Sequence, residues 1–211
     1  MTLLQMINKP ELIDKPLFIE DFVNGEVNYN SVKTLLSRYV KAGDLKRYAQ
    51  GIYYVPKKTI LGESTLSFES VFERKYIADN EKIFGYYSGM SLLNLVGLSS
   101  QVPNIPEITT NNEATRKRKV KIGKRSLIVR KSSIEINSDN VLYLQFLDIF
   151  RYADVETIKE KKDRIIVFFD RQDLSFEKLS EIERKVSMRI RKALRDSDIF
   201  DKHTTPLIKL K

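Results

Sequence analysis

Apolar residues change their period several times along this chain, and each change marks an element. Val32, Leu35, Leu36, Tyr39 and Val40 recur at i, i+3, i+4, i+7 and i+8, the stripe of an amphipathic helix docked on a core. Asn30 stands where an N-cap is expected and Gly43 where a left-handed C′ residue is expected. After Gly43 the period shortens to two. Residues 45–49 and 52–55 predict two strands about a Gln50-Gly51 turn, with Pro56 closing the second. Upstream, Leu3, Leu4 and Ile7 predict a first helix, and residues 19–23 a second.

Beyond a stretch of linker composition at 57–67, which contains Gly62, Ser64, Thr65 and Ser67, an independent set of apolar elements begins. Helices are expected at 68–76 and at 89–95 (entered at Ser88), with strands at 83–87 and 107–110. Val120 and Ile122 alternate with Lys119 and Lys121. Gly123-Lys124 fits a two-residue hairpin loop, and Leu127, Ile128 and Val129 form the return strand. The apolar segment 141–152 predicts a helix, and the run Ile165-Ile166-Val167-Phe168-Phe169, bounded by charge, reads as a buried strand at 164–169. Residues 174–195 read as one long helix with Leu179, Ile182, Val186, Ile190 and Leu194 as its core stripe. Lys185, Arg189 and Lys192 line another face, where Glu181 stands four residues before Lys185 for ordinary ion pairing.

Charge sharpens this outline. The polar face of the 30–43 helix carries Asn30, Ser31, Lys33, Thr34, Ser37, Arg38 and Lys41, cations mixed with short hydrogen-bonding side chains suited to phosphates and base edges. Arg47, Tyr48 and Gln50 stand on the following hairpin. Helix, glycine turn and short basic hairpin is the order of a recognition helix and its wing, so residues 1–58 read as a winged helix-turn-helix DNA-binding domain. The same pattern also fits a helix packed beside a hairpin with no ligand. Residues 64–211 read as a mixed α/β domain, which makes the whole chain α+β. The net charge is +9, and residues 116–131 hold nine cations and no acid: Arg116, Lys117, Arg118, Lys119, Lys121, Lys124, Arg125, Arg130 and Lys131. That density on one hairpin attracts polyanions, although a merely solvated hairpin shares the composition.

Several chemistries find no support. The chain has no Cys and one His, His203 in a polar C-terminal segment, so zinc-type sites and Cys relays lack their residues, and a Ser-His relay would have to use that one histidine. No Gly-rich phosphate loop is present. Glu-x-Lys triplets at Glu73/Lys75, Glu160/Lys162 and Glu183/Lys185 lie outside strand-like runs, and chance supplies them in a chain that is 31% charged. The expectation is a non-enzyme without metal or cofactor. No apolar run approaches the ~20 residues that cross a bilayer, and the N-terminal apolar run is interrupted at Asn8-Lys9. A cytoplasmic protein with no membrane partner is expected, in keeping with the absence of cysteine.

Two sets of residues resemble a known family. Leu36-Ser37-Arg38, Gly43-Asp44-Leu45-Lys46-Arg47 and Gly51-Ile52-Tyr53-Tyr54-Val55-Pro56 resemble the N-terminal winged domain of AbiEi-type antitoxins from abortive-infection toxin-antitoxin loci. The wing motif is shared by many winged repressors. More specific is the run from Ser88 through Gly97-Leu98-Ser99-Ser100-Gln101-Val102-Pro103, then Glu107-Ile108-Thr109-Thr110-Asn111 and the basic hairpin, which resembles that family's C-terminal domain. The resemblance spans 35–131. It implies a type IV antitoxin in which the winged domain binds inverted repeats in double-stranded promoter DNA and represses its own operon. The second domain would counteract a nucleotidyltransferase-like toxin, with the basic hairpin serving DNA or antitoxicity. The alternative is a winged transcriptional regulator whose second domain senses a ligand or dimerises. A nucleic-acid-processing enzyme is a third class.

Overall fold

The structure, a computed structural model, describes Ile7, residues 9–23 and residues 27–200. It is a mixed α+β protein. The chain divides into two compact units, one reaching Lys75 and including Lys121–Arg125, the other formed by Tyr76–Val120 and the chain from Ser126 onward. The boundary therefore falls after Lys75, and the stretch of linker composition at 57–67 lies within the first unit.

In the first unit, strand β1 (Leu17–Phe18) leads into a 3-10 turn (Ile19–Phe22), helix α1 (Tyr29–Ala42) and strands β2 (Lys46–Ala49) and β3 (Ile52–Tyr54). A short hairpin of β4 (Lys58–Thr59) and β5 (Gly62–Glu63) precedes helix α2 (Phe68–Tyr76). The main sheet has the order β1-β3-β2 and is antiparallel, with Leu17 opposite Tyr53 and Arg47 also opposite Tyr53, and with a bulge at Tyr48. Ile7, Leu17, Ile19, Val32, Leu36, Leu45 and Tyr53 form one buried cluster. Arg74 of α2 reaches back to the Pro16 carbonyl and to Asp21.

The expected hairpin and helix are present, with changes at the edges. The N-cap is Asn28, not Asn30: the Asn28 side chain accepts the Ser31 N–H at 3.0 Å, so Asn30 lies in the first turn. Gly43 closes the helix at φ +88°, and its N–H reaches the Tyr39 and Val40 carbonyls, a conformation that costs an L side chain about 1 kcal/mol. The helix expected at 19–23 is a single 3-10 turn, because Asp21 turns back to accept the Phe18 N–H at 2.8 Å. Strand β1 has no pattern in the sequence to announce it. Of the predicted first helix, Ile7 is buried, while Leu3 and Leu4 lie outside the described residues, as does His203.

The second unit opens with a short hairpin, β6 (Ala78–Asp79) and β7 (Lys82–Ile83). A mixed sheet follows, of β8 (Gly85–Tyr87), β9 (Glu107–Thr110), β10 (Lys117–Ile122) and β11 (Arg125–Lys131) in the order β10-β11-β9-β8. Strand β11 runs parallel to β9, and β8 antiparallel to it. Helix α3 (Gly89–Leu95) follows β8. The helical remainder is α4 (Val141–Tyr152), α5 (Val155–Glu160), α6 (Lys162–Arg171), α7 (Phe176–Glu183) and α8 (Met188–Asp196). Helix α4 is central: it packs on α3, α7, α8 and β8, and Phe146 meets Phe169 and Phe200 with ring centroids 5.1 and 5.8 Å away.

Two expectations fail here. Residues 164–169 are helical, within α6: Ile165 and Phe169, four apart, are buried while Val167 between them is 44% exposed. A contiguous apolar run does not distinguish strand from helix, and here the 3.6-residue period decides. The long helix at 174–195 breaks between Glu183 and Met188. Lys185 and Val186 make tight bonds to the Ile182 and Glu183 carbonyls, and Ser187 is extended. The stripe Leu179, Ile182, Val186, Ile190 and Leu194 is nonetheless buried throughout, and Lys185 pairs with Glu181 at 2.9 Å as expected.

One acid sits inside this core. Asp148 of α4 is 2% exposed, accepts the Tyr86 hydroxyl at 3.0 Å and pairs with Arg151 at 3.1 Å. Burial pushes its carboxyl up to about 6, against the pull of Arg151 and the hydrogen bond from Tyr86. A folded-state value above the ordinary one contributes stability that is complete below about pH 4 and lost as pH rises through about 6. The free-energy difference between wild type and Asp148→Asn, from denaturant unfolding, should therefore change by at most ~1.4 kcal/mol per pH unit across that window and level off above it. A difference curve flat from pH 4 to 7 would contradict this account.

Candidate nucleic-acid interface

Helix α1 buries Val32 and Leu36, and half-buries Leu35, Tyr39 and Val40. With 3.6 residues per turn the remaining positions face water. Asn30, Ser31, Lys33, Thr34, Ser37, Arg38 and Lys41 are all exposed. The Thr34 hydroxyl donates to the Asn30 carbonyl at 2.9 Å. Asn30, Ser31, Thr34, Leu35 and Arg38 line a shallow depression of about 450 Å³. No acidic residue lies within the helix, and among the described residues Lys33, Arg38 and Lys41 have no ion-pair partner. The face therefore presents uncompensated positive charge beside hydroxyl and amide groups.

The hairpin behind α1 is less free. Arg47 is exposed, but its Nε donates to the Ala49 carbonyl at 3.3 Å across the bulge. Tyr48 is half-buried, and burial raises its phenol above the usual range. Gln50 is exposed at the turn. Lys46 is neutralised by Glu63 at 2.9 Å. The hydrogen bond and charge of that pair raise the lysine and lower the glutamate.

In the β10–β11 hairpin the nine cations separate into two kinds. Arg118 pairs at 2.7 Å with Glu113, whose carboxylate is nearly inaccessible and also accepts the Ala114 and Thr115 N–H groups at 2.9 Å. Burial raises the Glu113 carboxyl, but the bonds from Thr115 and Arg118 outweigh it and hold the group below its ordinary value. Arg125 pairs with Glu69 at 2.9 Å and lies 4.4 Å above the Phe68 ring. Arg130 pairs with Glu107 and lies 5.6 Å from the Tyr152 ring centre. These three arginines are structural. Arg116, Lys117, Lys119, Lys121, Lys124 and Lys131 are exposed, and among the described residues none has an acidic partner. Lys117, Lys119 and Lys121 alternate along β10 and so share one face.

Composition alone makes all nine cations equivalent and misses the glutamates that divide them. The Asn-Asn-Glu-Ala-Thr turn chemistry beside Glu113 is a local signal; Glu69 and Glu107 are distant in sequence and give none. Among the described residues no group of three or more His, Cys, Asp or Glu is placed to hold a metal, and no helix is long and apolar enough to cross a membrane.

An α+β chain of two compact units, with cationic faces on a helix and on a hairpin, is thus defined. The chain belongs to the family of unknown function DUF6088, whose model matches residues 9–171. That span takes in α1, the β2–β3 and β10–β11 hairpins and the chain as far as α6. No curated protein matches the chain.

The division among the cations is measurable. Arg118→Ala strands the buried Glu113 carboxylate and should cost about 1–3 kcal/mol in urea unfolding. Lys119→Ala and Lys121→Ala should change stability by no more than about 0.5 kcal/mol. Equal destabilisation by all three would remove the distinction.

Proposed function

We propose that the protein is a winged helix-turn-helix DNA-binding protein that acts as the antitoxin of an abortive-infection toxin-antitoxin pair and represses its own operon. The observation that carries the DNA reading is α1: an acid-free helix whose polar and cationic face is exposed and whose cations have no ion-pair partner among the described residues, followed directly by a hairpin. The sheet order β1-β3-β2 also fits, since a winged domain pairs the strand after its first helix with the second strand of its wing. In this reading α1, through Lys33, Thr34, Ser37 and Arg38, reads base edges, while Arg47, Tyr48 and Gln50 support the backbone contact. The antitoxin role rests on the resemblance of residues 35–131 to AbiEi-type antitoxins. The six cations of residues 116–131 that have no acidic partner among the described residues would serve either the DNA backbone or antitoxicity, meeting phosphates or a negatively charged nucleotidyltransferase-like toxin, its nucleotide or its RNA.

A second reading, a winged regulator with a ligand-sensing domain, is favoured by one feature. A cleft of about 590 Å³ in the second unit is lined by Leu95, Val96, Leu142, Val167 and Phe168 together with Arg164 and Arg171, a size in the range of small-molecule sites.

DNA binding is tested by affinity against salt. Neutralising Lys119, Lys121 and Lys124 should lower the slope of log affinity against log salt by roughly 0.9 for each phosphate that the variant no longer neutralises. Thr34→Ala or Arg38→Ala should instead reduce discrimination between operator and mixed-sequence DNA by about 1–3 kcal/mol. An unchanged slope, or equal weakening on both DNAs, contradicts the corresponding assignment.

Antitoxicity is tested by growth rescue on co-expression with a nucleotidyltransferase-like toxin encoded beside this gene. The full chain should rescue growth and the chain with Lys117, Lys119, Lys121 and Lys124 neutralised should not. Rescue by the neutralised chain removes the hairpin from the mechanism, and no rescue by the wild type overturns the antitoxin reading.

A further inference from the structure

Ile60 and Leu61, at the tip of the β4–β5 hairpin, are 102% and 95% exposed. A single exposed aliphatic residue needs no explanation, but this pair is held out by a dense set of bonds. Thr59 Oγ1 accepts the Leu61 N–H at 3.3 Å and donates to the Gly62 carbonyl at 2.7 Å. At the base, the Lys57 N–H donates to Ser64 Oγ at 2.8 Å and to Asp14 at 3.1 Å, and the Ser64 N–H returns to the Lys57 carbonyl at 3.0 Å. Ser64 also donates through its hydroxyl to Asp14. The tip is therefore a stiff projection rather than a loose loop.

Its charge narrows what can cover it. Glu63, the one acid of the hairpin, is occupied by Lys46, whereas Lys57 and Lys58 are exposed on its shoulders without an ion pair among the described residues. A convex apolar pair is far short of the roughly 800 Å² per partner that a specific protein interface buries. An aliphatic wedge with cationic shoulders matches side chains that enter the minor groove and partly unstack a base step. Lys46, bonded to this hairpin, follows the α1 cap Gly43 by three residues, so the hairpin is tied to the strand that follows α1, in the same compact unit.

We propose that Ile60 and Leu61 insert between base pairs of duplex DNA from the minor groove and kink it, with Lys57 and Lys58 on the flanking phosphates. The proposal rests on the reading of α1 as a DNA-binding helix, and it assigns the protein a bending activity in addition to operator recognition.

The test is ligase-catalysed circularisation of a linear mixed-sequence duplex of about 100 bp, shorter than the ~150 bp persistence length, with the full-length protein at low salt. Wild type should raise the yield of circles about 10-fold or more. Ile60→Ser/Leu61→Ser should bind the same duplex within about two-fold, with the same salt slope, and lose the enhancement. Both side chains are solvent-exposed, so the variant keeps its fold. Full enhancement by the variant, or binding by wild type without enhancement, overturns the wedge and leaves the DNA reading intact. No binding by wild type overturns both. The same pair of proteins is also compared on anionic phospholipid vesicles and by sedimentation. If the substitution abolishes vesicle binding or self-association and circularisation is unchanged, the tip belongs to a bilayer or to a second copy, and the proposal fails.

Discussion

The rotation of α1 about its own axis is set by Val32 and Leu36, both fully buried against Leu17, Ile19, Leu45 and Tyr53, and the candidate interface follows from that constraint. Burying such side chains is worth about 1.5–3 kcal/mol each, enough to prevent the helix from rolling. The positions that remain outside then contribute little to stability, so their identities are free to answer to a ligand. Pairing of β1 with β3 is part of the same device, because Leu17 and Tyr53 lie opposite one another and together form the floor on which the helix rests.

The sorting of the hairpin cations follows the chemistry of the two basic side chains. All three paired positions are arginine, and of the six without an acidic partner among the described residues five are lysine. A guanidinium is planar and weakly hydrated, and it meets a carboxylate and an aromatic face at once, as Arg125 does with Glu69 and Phe68 and Arg130 with Glu107 and Tyr152. An ammonium is strongly hydrated and loses more by leaving water. Three glutamates from outside the 116–131 segment thus relieve part of the repulsion within it and leave a lysine-rich face that remains hydrated and available.

What is legible in the sequence is what repeats. The stripe of α1, the two strands around Gln50-Gly51, helices α2, α3 and α4 and the basic hairpin are all visible from period and turn chemistry. Strand β1, with two residues, has no period to read. The choice of cap between Asn28 and Asn30 depends on one side-chain bond. Helix α6 is hidden by its own hydrophobicity, because five consecutive apolar residues satisfy strand and helix alike until packing selects Ile165 and Phe169. The break before Met188 is hidden because the turn at 184–187 keeps Val186 and Ile190 in phase with the buried stripe. The candidate faces are legible as composition, but the partners that silence Arg118, Arg125 and Arg130 are not, since two of the three glutamates come from other parts of the chain.

Asp148 shows how the second unit sets the register of its own sheet. A buried acid is weak support for stability, because desolvation offsets much of what its partners return, and its raised carboxyl value shows burial winning. It does give α4 direction. Apolar contacts between α4 and β8 tolerate sliding, whereas the bond from Tyr86 to Asp148 forms only in one register. Strand β8 is paired to β9 and β9 to β11, and Arg130 on β11 is bonded across to Glu107 on β9. The register of β11 is thereby referred, strand by strand, to the contact between Tyr86 and Asp148.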